Sequence, residues 1–296
     1  MVVHNWHQYP CFPVILMNMD YTLSQGDPMK STFWAIVILI STVGTIGVNA
    51  LANILPLNGR FTGEISDSVP NLFAPAGITF AIWALIYLSL VFFSFLCLGF
   101  LRDYSPVKRQ IPYQLGPIYF LSAVANGAWI FAWHWLQFPL SLGLMLILLL
   151  SLIYLYVRIR EITRDWPRFG LQTILLKGTF SLYLGWITVA TVANGTTVLV
   201  HGGFSGNGQA VFWMIGILAV IYALGAVHAF RTRDLIYQAV LMWALAGIAL
   251  KRLDPAFDPY EPVVGWVAAV VGALLFITWV VAVVRHPRKD RFGQVR

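Results

Sequence analysis

Pro70-Asn71-Leu72-Phe73-Ala74-Pro75-Ala76-Gly77-Ile78-Thr79-Phe80-Ala81-Ile82-Trp83-Ala84-Leu85-Ile86-Tyr87 runs from a loop punctuated by proline and glycine straight into a hydrophobic helix. What surrounds this stretch decides the fold. The chain of 296 residues is 59% hydrophobic and only 10% charged. That leaves too little polar surface to cover a soluble core, so the bilayer is the solvent of these helices.

Working outward from 70–87, apolar stretches occupy 33–54, 78–100, 115–136, 139–158, 174–200, 210–230, 235–250 and 263–284. Most approach the roughly 20 residues that cross about 30 Å of hydrocarbon. The expected fold is an all-α integral membrane protein of about eight transmembrane helices. No length remains for a soluble domain. The seventh stretch is the shortest, fenced by Arg233 and Lys251, and is expected to snorkel its ends or thin the lipid around it.

The formal charge of +7 is topological. Fifteen of the nineteen Lys and Arg fall in alternate connections and at the termini, among them Arg102, Arg158, Arg160, Arg231, Arg233 and Arg288. The other side holds only Arg60, Lys251 and Arg252, and Lys177 lies inside the fifth helix. The positive-inside rule then places both termini in the cytoplasm, and the assigned membrane is the plasma membrane of a prokaryote. Basic residues at loop edges beside anionic headgroups do not make a nucleic-acid surface. Cys11 and Cys97 exclude a disulfide framework. The segment 1–30 lacks a basic n-region and a sufficient apolar run for a signal peptide. It reads as a disordered or interfacial extension in which Met17, Met19 and Met29 offer alternative starts.

Polar side chains are costly in lipid and turn towards a partner or a cavity, so their positions carry the functional signal. Asn49 and Asn53 share one face of the first helix in its outer half. Phe80, Trp83 and Tyr87 form an aromatic stripe on the second. Asn126, Trp129 and Trp133 follow on the third, and Tyr183, Trp186, Ala190 and Asn194 descend the fifth. The four stripes meet at one level beneath the outer loop from 55 to 77, which describes a lidded pocket. The competing reading is that the amides glue helices at about 0.6 kcal/mol each while indoles form an interfacial belt. A belt accounts for Trp133 and Trp135 near a helix end. It does not account for Asn126 or Trp186 near the midplane.

These residues also carry a resemblance to the TspO/MBR family of tryptophan-rich sensory proteins. Pro70, Pro75 and Ile82-Trp83-Ala84-Leu85-Ile86-Tyr87 resemble the family's Pro-rich loop and Val-Trp-x-x-Leu-Tyr pattern. Asn126-Gly127-Ala128-Trp129 resembles its Asn-x-x-Trp, and Tyr183-Leu184-Gly185-Trp186 with Ala190 and Asn194 resembles its fifth-helix pattern. The resemblance implies a five-helix bundle over 31–200 that binds porphyrins, haem-related tetrapyrroles, sterols or synthetic aromatic ligands. By position it makes Trp83 and Asn126 ligand hydrogen-bond donors and lines the pocket with Tyr87, Tyr183, Trp186 and Ala190. A bound porphyrin or haem is the one cofactor it admits. The chain departs from the family in having Leu72, Phe73 and Gly77 where loop tryptophans are usual, and in adding three helices over 201–285 before a basic tail, 286–296.

Other signals are weaker. His134 and His228 lie near opposite ends of their helices, about 30 Å apart, too far to share a haem. Lys177 is expected to snorkel. The glycine-rich turn 202–208 fits neither a phosphate loop nor a nucleophile elbow. Asn194-Gly195-Thr196 is a sequon too close to the membrane to be used. No Cys/His cluster has zinc spacing. Asp254, Asp258 and Glu261 share the last outer loop with Lys251 and Arg252 and read as solvated. Gly265, Ala268, Ala269 and Gly272 on the last helix allow close contact within the chain or in a homo-oligomer. Three classes of function follow: a membrane receptor or sensor for a hydrophobic aromatic ligand, a secondary transporter of a small hydrophobic molecule, and an enzyme acting on bound tetrapyrrole. The last lacks paired carboxylates or a nucleophile–base pair.

Overall fold

A computed structural model of the protein describes residues 28–99, 106–166, 170–204 and 208–284. The proposed interfacial extension before residue 28 and the basic tail from 286 lie outside the described residues. Among the described residues all regular structure is helical. In chain order the helices are α1 (Pro28–Ile54), the short α2 (Thr62–Asp67), α3 (Ile82–Cys97), α4 (Pro106–His134), α5 (Phe138–Ile162), α6 (Leu171–His201), α7 (Ala210–Val227), α8 (Leu235–Leu253) and α9 (Pro262–Val284). A 3₁₀ turn, Gly77–Ala81, leads into α3, and a π turn, His228–Thr232, ends α7. Eight of these helices are long and apolar enough to cross a membrane, with α2 alone too short. The protein is an integral, multi-pass membrane protein.

Five helices close a ring. α1 packs on α3 and α4, α4 on α5, α5 on α6, and α6 returns to α3. Their buried residues include Phe93, Leu115, Leu148, Leu152, Phe180 and Ile187, while outward positions such as Phe131, Leu140 and Leu150 stay exposed for lipid. Because lipid is as apolar as these side chains, polar contacts and close packing hold the ring, not exclusion from water. One such tie joins three helices: Thr42 Oγ1 lies 2.7 Å from Ser94 Oγ and 2.5 Å from Tyr119 Oη.

The other three spans form a layer on the outside of α6. α8 packs on α6, α9 on α8, and α7 on α9. This explains the short seventh span. Of its most apolar window 61% is buried, against 17% for α9, so α8 is sandwiched between protein surfaces and does not have to match the bilayer by snorkelling. Lys251 and Arg252, expected in a solvated loop, are instead buried at 3% and 0% exposure. Lys251 Nζ bonds the Asp67 carboxylate and Arg252 Nη1 donates to the Pro259 carbonyl. Asp254 and Asp258 are exposed as expected.

The small residues of α9 serve contacts within the chain. A side chain at Gly265 would meet Leu253 Cγ at 2.7 Å, and Ala268 is fully buried. At the opposite end, Asp234 caps α8 by accepting from Tyr237 N at 3.0 Å, accepts from Ser181 Oγ at 2.5 Å, and pairs with Arg160 at 3.6 Å. A buried carboxylate there needs those partners.

Candidate functional site

The segment between α1 and α3 folds back over one end of the ring as a lid. Its short helix α2 buries Ile65 in a cluster with Val69, Trp133 and Phe138. Trp133 Nε1 donates to the Thr62 carbonyl at 3.2 Å, and Asn58 Nδ2 donates to the His134 carbonyl at 2.9 Å. His134 is buried and lies 3.3 Å from Thr62 Oγ1. It fastens the lid to α4. Asn71 then turns the chain: its Oδ1 accepts from Phe73 N at 2.9 Å, while its Nδ2 donates to the Ala193 carbonyl and to Thr197 Oγ1, each at 3.0 Å. Phe73 is driven into the core at 1% exposure.

Beneath this lid is a cavity. It is a narrow slot, about 660 Å³ with the open mouth included. Phe80, Trp83, Asn126, Trp129, Trp186, Ala190 and Asn194 line it, so seven of the sequence-derived site residues meet on one space. The aromatic groups form a chain of contacts: Phe80 to Trp186 at 5.7 Å, Trp186 to Trp83 at 6.4 Å, and Trp83 stacked on Tyr87 at 5.4 Å. Across the slot Trp129 stacks on Trp133 at 5.6 Å.

Four expected residues do not line the slot. Tyr183 meets the far side of Trp83 at 6.0 Å and is buried. Tyr87 supports Trp83 from the next turn of α3. Asn49 lies behind Asn126, donating to Asn126 Oδ1 at 2.6 Å and to the Thr45 carbonyl at 2.8 Å. Asn53 donates to the Asn49 carbonyl at 2.8 Å and is exposed. For the two amides the reason is competition for partners: in lipid an amide takes the nearest acceptor, here a carbonyl one turn back on α1 and, for Asn49, the Asn126 side chain.

The same competition governs the lining amides. Asn126 uses Oδ1 for Asn49 and Nδ2 for Tyr183 Oη at 3.1 Å. Asn194 exchanges hydrogen bonds with Ser141 of α5 at 3.1 and 3.2 Å. Trp129 differs. Its indole nitrogen is buried and has no hydrogen-bond partner among the described residues. A buried donor without an acceptor costs about 1–3 kcal/mol, a cost that a ligand carbonyl, ring nitrogen or water could remove.

Further residues line the slot. Trp133, on the α4 stripe but also readable as an interfacial belt residue, is 5% exposed and turned inward, unlike Trp135 at 51%. Ala193 and Thr197 prolong the α6 stripe by its own period and were legible. Thr62, Ser66 and Asn71 arrive from the lid, and Met145 from α5; nothing in a single sequence marks these. No lining residue is a carboxylate, imidazole, amine or thiol. The walls can stack on a flat ligand and offer hydrogen bonds, and they leave charged groups of a ligand to the mouth. Among the described residues no group of three His, Cys, Asp or Glu is placed to hold a metal.

No curated protein and no solved structure gives a significant match to the chain. A family model described as TSPO-like protein matches residues 35–281, a range that spans the closed ring and also the three helices outside it. With most of its length inside that match, the chain belongs to the TSPO-like family.

Proposed function

We propose that this chain is a membrane receptor or sensor that holds a flat, hydrophobic, aromatic ligand, tetrapyrrole- or sterol-like, in the slot beneath the lid. The observation that carries the reading is the convergence of the Trp83, Trp129, Trp133 and Trp186 rings on one slot, with a buried, unpartnered N–H on Trp129. Stacking on Trp83, Trp129 and Trp186 supplies affinity, and the Trp129 N–H fixes orientation. Asn126 supports the wall in this reading: Oδ1 accepts from Asn49 and one N–H goes to Tyr183, which leaves its second N–H for a ligand. The cavity lies towards the outer face of the membrane, with both termini cytoplasmic, on the charge distribution of the loops. The carboxylates of a porphyrin would point to the mouth, since the lining offers them no cation.

Titration of the purified protein with protoporphyrin IX tests the reading. Saturable quenching of tryptophan fluorescence, weakened in Trp83→Ala and in Trp129→Ala, is expected. Quenching that is linear in ligand, or identical in both variants, overturns it. Proteoliposome flux driven by a gradient of the same ligand would convert the binder into a transporter.

A further inference from the structure

We propose that α8, a helix outside the ring, is the latch that holds the lid down and keeps the slot narrow, and that ligand enters when the segment 62–81 comes away from it. The proposal rests on the slot being the ligand site. Pro75 and Phe80 are the parts of the lid's second half that line the slot. Between them the backbone is tied to α8 twice: Ala76 N donates to the Gly247 carbonyl at 3.0 Å, and Trp243 Nε1 donates to the Thr79 carbonyl at 2.8 Å. Thr79 sits directly on Gly247, where a Cβ would lie 2.0 Å from its Oγ1. Only a residue without a side chain leaves that seat open. One turn further on, Lys251 bonds the carboxylate of Asp67 at the end of α2.

Trp243, Gly247 and Lys251 follow one another at intervals of four, so the three contacts form a single stripe along the face of α8 that meets the lid. The stripe reaches both the first and the second half of the lid. It therefore fixes the width of the slot from outside the ring, through Phe80 on one side and the α2 helix on the other. Releasing it costs two hydrogen bonds and leaves the ammonium of Lys251, 3% exposed, without its carboxylate.

Amide hydrogen exchange and ligand kinetics on the full chain in nanodiscs test this. Trp243→Phe removes the indole N–H and keeps an aromatic ring, and Gly247→Ala puts a methyl group into the seat of Thr79. Gly272→Ala, whose new Cβ would meet Leu245 at an ordinary 3.8 Å, is the control. Exchange in peptides covering 74–81 should quicken about fivefold in Trp243→Phe and further in Gly247→Ala, with the control unchanged. The association rate of protoporphyrin IX should rise by the same factors. Unchanged exchange in both variants overturns the latch, as does faster exchange with an unchanged association rate. Should Gly247→Ala fail to fold, Trp243→Phe decides the matter alone. If neither wild type nor variants bind protoporphyrin, the ligand reading falls, and exchange alone then decides whether α8 holds the lid.

Discussion

The side-chain nitrogen of Asn49 donates to the side-chain oxygen of Asn126 across 2.6 Å, joining α1 to α4 behind the wall of the slot. Asn126 passes the chain on to Tyr183 of α6 at 3.1 Å, so three helices of the ring share one line of hydrogen bonds. Such a chain supports the wall. Asn126→Leu should leave the Tyr183 hydroxyl without its donor and lower stability by about 1–3 kcal/mol, while changing protoporphyrin affinity less than a change at Trp129. Thermal unfolding in detergent, compared with fluorescence titration, separates the effects. A variant as stable as wild type that no longer binds would return Asn126 to the role of ligand donor.

Trp129→Phe has the opposite signature. It keeps an aromatic ring beside Trp133 and removes the buried N–H that has no partner. Stability without ligand should hold or rise, because an unsatisfied donor disappears. Ligand affinity should fall about tenfold, the equivalent of one hydrogen bond of about 1.4 kcal/mol. Loss of stability with full affinity would show that the indole nitrogen has an acceptor in the protein or in bound water.

How much of this was legible depends on what each residue's neighbours are. The spans were readable because apolar length has one cause, the thickness of the bilayer. Phe80, Trp83, Trp129 and Trp186 were readable because helical spacing fixes which side chains share a face. Asn49 and Asn126 were placed at one level correctly, but spacing cannot say whether two amides face a cavity or each other. Trp133 looked like a belt residue because it is near a helix end; the lid, which a linear reading leaves open, covers it through the Thr62 carbonyl. Lys251 and Arg252 misled for the same reason. Two charges beside prolines read as loop until α2 and the 254–261 turn bring Asp67 and the Pro259 carbonyl to them. Met145 carried no signal at all.

The pair Lys251 and Asp67 is unevenly buried, at 4% and 56% side-chain exposure, and the two halves should not be equivalent. Asp67→Asn removes the carboxylate from a buried ammonium and should destabilise the fold by up to about 3 kcal/mol. Lys251→Met leaves behind a carboxylate that water can reach and replaces the ammonium by an apolar side chain of similar length. Its cost should stay below about 1 kcal/mol. Denaturation midpoints of both single variants and the double variant measure the coupling. Equal costs would mean that the ammonium reaches water by another route.

At the far end of α8 the position of the latch helix depends on Asp234. Its Oδ1 caps the helix at Tyr237 N, and its Oδ2 takes the Ser181 hydroxyl and faces Arg160, whose side chain is 29% exposed. Asparagine is as good a cap as aspartate, and a partly exposed arginine can turn to the headgroups. Asp234→Asn should therefore cost less than Asp234→Ala, which loses the cap, about 1 kcal/mol; the Ser181 hydroxyl keeps the Lys177 carbonyl, at 2.8 Å, in both variants. The difference should appear as faster amide exchange over the first turn of α8, 235–238, in the alanine variant alone. Equal exchange in the two variants would assign the stabilisation to the ion pair with Arg160 and not to the cap.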